Sequence, residues 1–175
     1  RGEREGRALL VCVDVHEESP LVVDWAVKNL YRPGDVLFLL HIVQCDAPAE
    51  VFHGFYGISW GEPMDNQKKK NEELLRKAER YLRVKYGKVL EGTEHYFVVD
   101  PNYGGGASEV GDAILACAGK REGQVLVVVA KRSRKGAQSW VLGSSTQYLL
   151  ERSRWPVVVL PWSDLHSPSV RGLHP

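Results

Sequence analysis

The chain is poor in cysteine. Cys12, Cys45 and Cys117 are the only three in 175 residues, widely spaced and odd in number. No C-x-x-C pair exists, so neither a disulfide frame nor a zinc ribbon is expected, and the thiols read as small apolar residues of a reducing environment. Charge of one sign is missing too. Twenty-three Lys+Arg face 22 Asp+Glu, a net of +1, without the strongly basic signature of an electrostatic nucleic-acid binder. No apolar run approaches the ~18 residues of a membrane helix. Residues 125–130, VLVVVA, are among the longest runs and are strand-sized. The start carries Arg1, Glu3, Arg4, Glu5 and Arg7 rather than the apolar core of a signal peptide. A cytoplasmic setting is therefore expected. The chain does not begin with Met, which leaves an upstream targeting segment open.

Several catalytic signatures are also absent. There is no G-x-x-x-x-G-K-[ST] loop, and Gly104-Gly105-Gly106 lacks the G-x-G-x-x-G spacing of a dinucleotide cradle, so it reads as a flexible connector. The six histidines show no H-E-x-x-H or other metal spacing, and no metal ligands are expected. His16 alone is flagged, for its place beside Asp14. No nucleophile, base and orienter form a recognisable set, so no catalytic residue is named. A phospho-receiver domain would need an acidic neighbour of Asp14 and a Lys ending the last strand. Val15 and the VVVLPW ending supply neither.

What is present is the pattern of a globular α/β chain, 43% hydrophobic and 26% charged. Short apolar runs at 8–14, 35–43, 94–99, 124–130 and 156–160 are nearly continuous, as strands buried on both faces of a parallel sheet are. Helical spacing separates them. Leu21, Val22, Trp25, Ala26 and Leu30 mark one helix, ended by Pro33-Gly34. A second runs from about 67 to 86, with Leu74, Leu75, Ala78, Tyr81, Leu82, Lys85 and Tyr86 on one face. A third is capped by Ser108 and carries Val110, Ala113, Ile114, Cys117 and Ala118. A fourth covers 144–153. The expected fold is α/β, a single domain with a doubly wound, five-stranded parallel sheet. Residues 1–7 form a charged extension, 8–162 the domain, 44–66 an aromatic insertion loop and 163–175 a polar tail.

Ligands of such sheets bind at the carboxyl ends of the strands. Asp14 closes the first strand, where its carboxylate can accept from a ligand or merely cap the next helix. The stretch 130–146, AKRSRKGAQSWVLGSST, leaves the fourth strand and opens a helix. Gly143 lets a ligand approach the backbone. Ser144, Ser145 and Thr146 begin a helix whose free N–H groups form an anion site, and Lys131, Arg132, Arg134 and Lys135 add positive charge. The same residues also fit a solvated basic loop with an ordinary serine cap.

In order and spacing, LLVCVDVHEES…DWAVKNL, LFLLHIV, GDAILACAG with QVLVVVA, and LGSSTQYLLERSRWPVVVLP resemble the universal stress protein family, its UspA-type domain. Nucleotide-binding members carry G-x-x-G, nine residues, then G-S/T. The resemblance places those positions at Ala130, Ser133, Gly143 and Ser144, with Ala and Ser standing for the first two glycines. It implies ATP or AMP, with Mg, held by Asp14 on the adenine or ribose side, by the loop backbone of Val13 and Val15, by Ile42 at the adenine edge, and by Ser145 beside Ser144. It also implies a homodimer paired through the fifth strand, with Trp155 and Trp162 as interface anchors or as core residues. A stress-response or signalling role with an unnamed partner follows. Two alternatives stand beside it: a dimeric interaction module without nucleotide, and a slow ATP hydrolase.

Overall fold

The computed structural model describes residues 6–14, 19–46, 52–53, 59–60, 64–104, 106–130 and 143–160. β1 (Ala8–Val13) is the central strand of the main sheet. β2 (Val36–Gln44) lies on one side of it, followed outward by β5 (His95–Asn102). β6 (Val125–Ala130) lies on the other, followed by β7 (Val157–Leu160). The order is β5-β2-β1-β6-β7, and every pair is parallel. The five-stranded, doubly wound α/β fold read from the sequence is the fold observed. Between Phe52–His53 (β3) and Ser59–Trp60 (β4) a separate antiparallel pair forms, inside the stretch read as an irregular loop.

Continuous apolar runs follow from burial on both faces. Leu9, Val11 and Val13 enter one core with Val22, Val23 and Ala26 of α1 (Ser19–Asn29) and Leu82 and Tyr86 of α2 (Met64–Tyr86). Ala8 and Leu10 enter the other with Ile114 and Cys117 of α3 (Ala107–Gly119) and Leu149 of α4 (Ser144–Arg152). Each Val, Leu or Ile among them contributes about 1.5–3 kcal/mol by leaving water. Trp155 also packs on the second core. The chain moves outward from β1 through β2 to β5, then crosses back to β6. The order therefore reverses at β1, and the loops after β1 and β6 diverge there.

Four local expectations are corrected. β5 runs on through Pro101 to Asn102 instead of ending at 99. Leu37 donates to Glu94 and Cys45 to Asn102, so even-numbered residues of β5 face β2 by alternation. Pro101 therefore turns its nitrogen outward, the placement an edge strand tolerates. α3 begins at Ala107 with Gly106 as its cap, so Ser108 is not the cap. Its hydroxyl donates instead to Glu109 at 2.8 Å. Glu109 also explains the glycines. A Cβ on Gly106 would lie 2.2 Å from its Oε2, and one on Gly104 2.6 Å from its Cγ, so Gly104 and Gly106 make room for a carboxylate over the positive end of α3. On α2, Leu74 and Tyr81 are exposed, and the buried stripe is Asn71, Leu82 and Tyr86. Asn71 fits because its amide donates to the Asp46 carbonyl at 2.9 Å. Last, α2 starts at Met64, before the expected 67.

The turns at the opposite edge share one device. Among the described residues positive φ occurs only at Gly34 (93°), Gly92 (81°) and Gly123 (76°). These follow α1, α2 and α3 and lead into β2, β5 and β6. Near the first of them Arg7 ties down the chain. Its backbone N–H and Nε donate to Asp35 Oδ1 at 3.0 and 3.3 Å, and its Nη2 reaches Asp35 Oδ2 and the Leu30 carbonyl at 2.7 Å each. Burial pushes the Asp35 carboxyl up, but the hydrogen bonds from Arg7 and from the Arg32 backbone outweigh it and leave the carboxyl below its ordinary value.

Candidate functional site

The carboxyl ends of β1, β2 and β6 and the start of α4 bring together most of the residues singled out from the sequence. Val13 ends β1, and half-buried Asp14 follows it at the point where the strand order reverses. Ile42 lies on β2, one residue beyond the last β1 pair, Val13–His41. Val36 donates to Arg7, so even-numbered residues of β2 turn their peptide groups toward β1. Ile42 thus presents its carbonyl on that side, at the height where β1 has ended. Its side chain packs against the second core, so only its backbone is presented at this edge. Ala130 ends β6 opposite Leu160 and packs against the first core. Val15, His16, Ser133, the basic residues 131–135 and Trp162 lie outside the described residues.

Gly143 caps α4 with φ −62° and ψ 146°, extended backbone open to any residue. A Cβ there would meet no described atom nearer than Thr146 Oγ1 at 4.0 Å. Neither backbone strain nor packing within the described chain calls for glycine at this position. Among the described residues no side chain caps the helix. The first N–H groups, those of Ser144 and Ser145, have no intrahelical acceptor. Gln147 is the residue that donates back to the Gly143 carbonyl, at 2.9 Å. The start of α4 is a short backbone cradle with a positive dipole.

The cradle is held from behind. The Tyr148 hydroxyl donates to Asp112 Oδ1 at 2.7 Å. Its ring lies against Gly111, where a Cβ would come within 2.3 Å of Cδ1. A glycine of α3 thereby seats an aromatic of α4 and fixes the height of the helix start.

His41 is the residue that sequence reasoning missed. It is 8% exposed, and its Nδ1 lies 3.0 Å from the Val13 carbonyl oxygen. A carbonyl only accepts, so Nδ1 is the donor in this contact. The ring pins the last peptide of β1 just before Asp14. A single polar residue inside LFLLHIV was the available signal. Cys12 and Cys45 are not activated as nucleophiles. Burial raises the Cys12 thiol strongly, with Cys117 adding to it, and burial raises Cys45 with help from Asp46. Both stay protonated at neutral pH. Among the described residues no three His, Cys, Asp or Glu side chains group as metal ligands, and no helix is long and apolar enough to cross a membrane.

The model of the Universal stress protein family matches residues 6–161. The chain belongs to the universal stress protein family. Universal stress protein PHOS32 of Arabidopsis thaliana is 42% identical over 55 residues, 31% of this chain and 20% of that protein. An uncharacterised protein of Schizosaccharomyces pombe is 28% identical over 148 residues, 84% of this chain and 22% of that one. The chain thus spans about a fifth of the length of these curated relatives. Among solved structures, universal stress protein UspA from Lactobacillus plantarum shares the fold with a TM-score of 0.62 at 16% identity, covering 91% of this chain and 99% of that one. A universal stress protein crystallised in complex with cAMP has a TM-score of 0.51 at 17% identity, covering 89% and 97%.

Proposed function

We propose that this universal stress protein domain binds an adenine nucleotide, ATP or AMP, at the carboxyl edge of its sheet and acts as a nucleotide-linked signalling module. Phosphate oxygens take the N–H groups and hydroxyls of Ser144 and Ser145 over Gly143. Asp14 and the backbone of Val13, Val15 and Ile42 hold the adenosine. Ala130 and Ser133 occupy the remaining loop positions of the family pattern. The observation that carries the reading is Gly143. It is a glycine that neither backbone strain nor the described packing requires, at an uncapped helix start, which is where close approach by an anion needs one. Ala130 is compatible because its methyl packs with the first core. A fold neighbour that carries cAMP in its crystal adds support. Mg would arrive with the phosphates, since the described residues offer no ligand cluster.

The test separates binding from folding. The wild type should release ATP, ADP or AMP on denaturation after purification without added nucleotide, or show a rise in Tm with millimolar MgATP. Gly143→Val places a branched side chain into open space, so its own Tm should stay within about 2 °C while the MgATP shift disappears. A wild type that is empty and shows no shift overturns the reading.

A homodimer through β7 goes with this proposal. Among the described residues β7 pairs with β6 alone, and an apolar edge invites a second copy. Sedimentation at micromolar concentration should give twice the chain mass, and a monomer would refute it.

A further inference from the structure

The geometry points to a docking stripe along the exposed side of α2 that takes an acidic amphipathic helix of a partner protein. Six large hydrophobic side chains are exposed among the described residues, and three of them, Leu74, Tyr81 and Val84, lie on this one helix. With Lys70, Lys77 and Lys88 they recur at spacings of 4, 3, 4, 3 and 4, the a/d seam of a helix pair. Lys88 stands just past α2, where Leu90 still donates to the Tyr86 carbonyl at 3.0 Å, so the helical path continues through it. From Lys70 to Lys88 the seam runs about 27 Å at the usual helical rise. It is distinct from the stripe of Leu82 and Tyr86, which packs into the first core. The inference does not rest on nucleotide binding.

Folding does not account for the apolar members of this seam. Val84 is 81% exposed, and a β-branched side chain there lowers helix propensity while burying almost nothing. Tyr81 is held in place on the helix surface, because Lys85 Nζ donates to its hydroxyl and lies 5.0 Å from its ring centroid. Covering such a seam is favourable, at about 25 cal/mol per Å² of apolar surface removed from water.

Charge selects the occupant. None of the six seam positions is acidic, and Arg80 and Lys85 flank them. Lys77 pairs with Glu73 at 2.8 Å and Lys70 with Asp46 at 3.0 Å, but all four side chains are more than half exposed, and such pairs are weak and exchangeable. Five cations thus stand against two carboxylates along the seam. A second copy of α2 would lay lysines against lysines, a like-charge contact that opposes self-pairing. A lipid surface fits poorly, because a helix lying in a membrane buries a broad apolar face, whereas this one is a single row of three residues between cations. A partner helix with leucines at its own a and d positions and glutamates at e and g meets both the apolar row and the cations.

The experiment titrates the full chain with two three-heptad peptides that carry Leu at a and d and differ only in Glu or Lys at e and g, following backbone amide shifts by NMR. The Glu peptide should saturate the resonances from Lys70 to Lys88 about tenfold more tightly than the Lys peptide. Val84→Ala and Tyr81→Ala should each weaken it about threefold or more. Both put the best helix former at an exposed position, so helix content by circular dichroism should hold. Lys77→Glu combined with Lys88→Glu should reverse the preference between the two peptides. Vesicles of phosphatidylserine and phosphatidylcholine should leave the same resonances unmoved. Absence of saturation in the millimolar range, equal affinity for the two peptides, unchanged binding by Val84→Ala and Tyr81→Ala, a response to the vesicles, or self-association of the chain that Val84→Ala abolishes would each overturn the proposal.

Discussion

Asp35→Asn tests the tie between the chain start and the fold. Asp35 Oδ1 accepts from the Arg7 backbone N–H and Nε, and Oδ2 from Arg7 Nη2 and the Arg32 backbone N–H. Its side chain is 6% exposed and that of Arg7 25%. An asparagine keeps one acceptor and turns an NH₂ toward two donors. The change removes one charge-assisted bond, about 1.5–3 kcal/mol, and one ordinary bond, about 1 kcal/mol. Arg7 keeps the Leu30 carbonyl at 2.7 Å and reaches water, so the loss stays below the full cost of stranding a buried charge, about 3–5 kcal/mol. The expected loss is about 2–4 kcal/mol at pH 7. Urea unfolding of both proteins, with an unchanged m-value, measures it.

The same pair makes a pH prediction. The folded Asp35 carboxyl lies below its ordinary value of 3.8. A group with a depressed folded pKa stabilises above its unfolded value and loses that contribution as pH falls through the folded one. The gap between wild type and Asp35→Asn should therefore hold constant through neutral pH and close in the acid range below about 4. A loss under about 0.5 kcal/mol, the level of an indifferent surface change, would refute the reasoning. So would a gap that persists at low pH.

Two further changes test the support of the site. Gly111→Ala pushes a methyl to 2.3 Å from the Tyr148 ring and should cost about 1–3 kcal/mol; adding Tyr148→Ala should cost less than the sum of the singles, and strict additivity would refute the contact. His41→Leu removes the donor to the Val13 carbonyl and should lower stability by about 1 kcal/mol, with a weaker MgATP thermal shift, whereas an unchanged shift would detach His41 from the site.

The inner strands of the sheet were legible because burial on both faces leaves nearly continuous apolar runs, as in ALLVCV and VLVVVA. The Gly143-Ser144 helix start was legible for a local reason, since a small residue before a serine pair marks a helix opening whatever the fold. The rest depended on distant partners. Leu74 and Tyr81 looked like core residues by type, but the α2 stripe is set by Asn71 and its bond to Asp46, which spacing alone does not reveal. Pro101 looked like the end of a strand, and only the position of β5 at the sheet edge makes it a member. Ser108 lies inside α3, one residue past its start at Ala107, and the cap position falls to Gly106, where Glu109 fills the space a Cβ would need. The two-residue strands β3 and β4 are too short for any periodic signal. His41 matters through Val13, 28 positions earlier.

Among the described residues the three glycines with positive φ all lie where a helix returns to a strand, on the side of the sheet away from Gly143. Spacing between layers is thereby set at one rim, and the start of α4 lies at the other. Loops on the second rim can lengthen, shorten or exchange residues without disturbing the turns that hold helices against strands. A designer could graft a different ligand preference there and leave the other rim untouched, provided Gly34, Gly92 and Gly123 are kept.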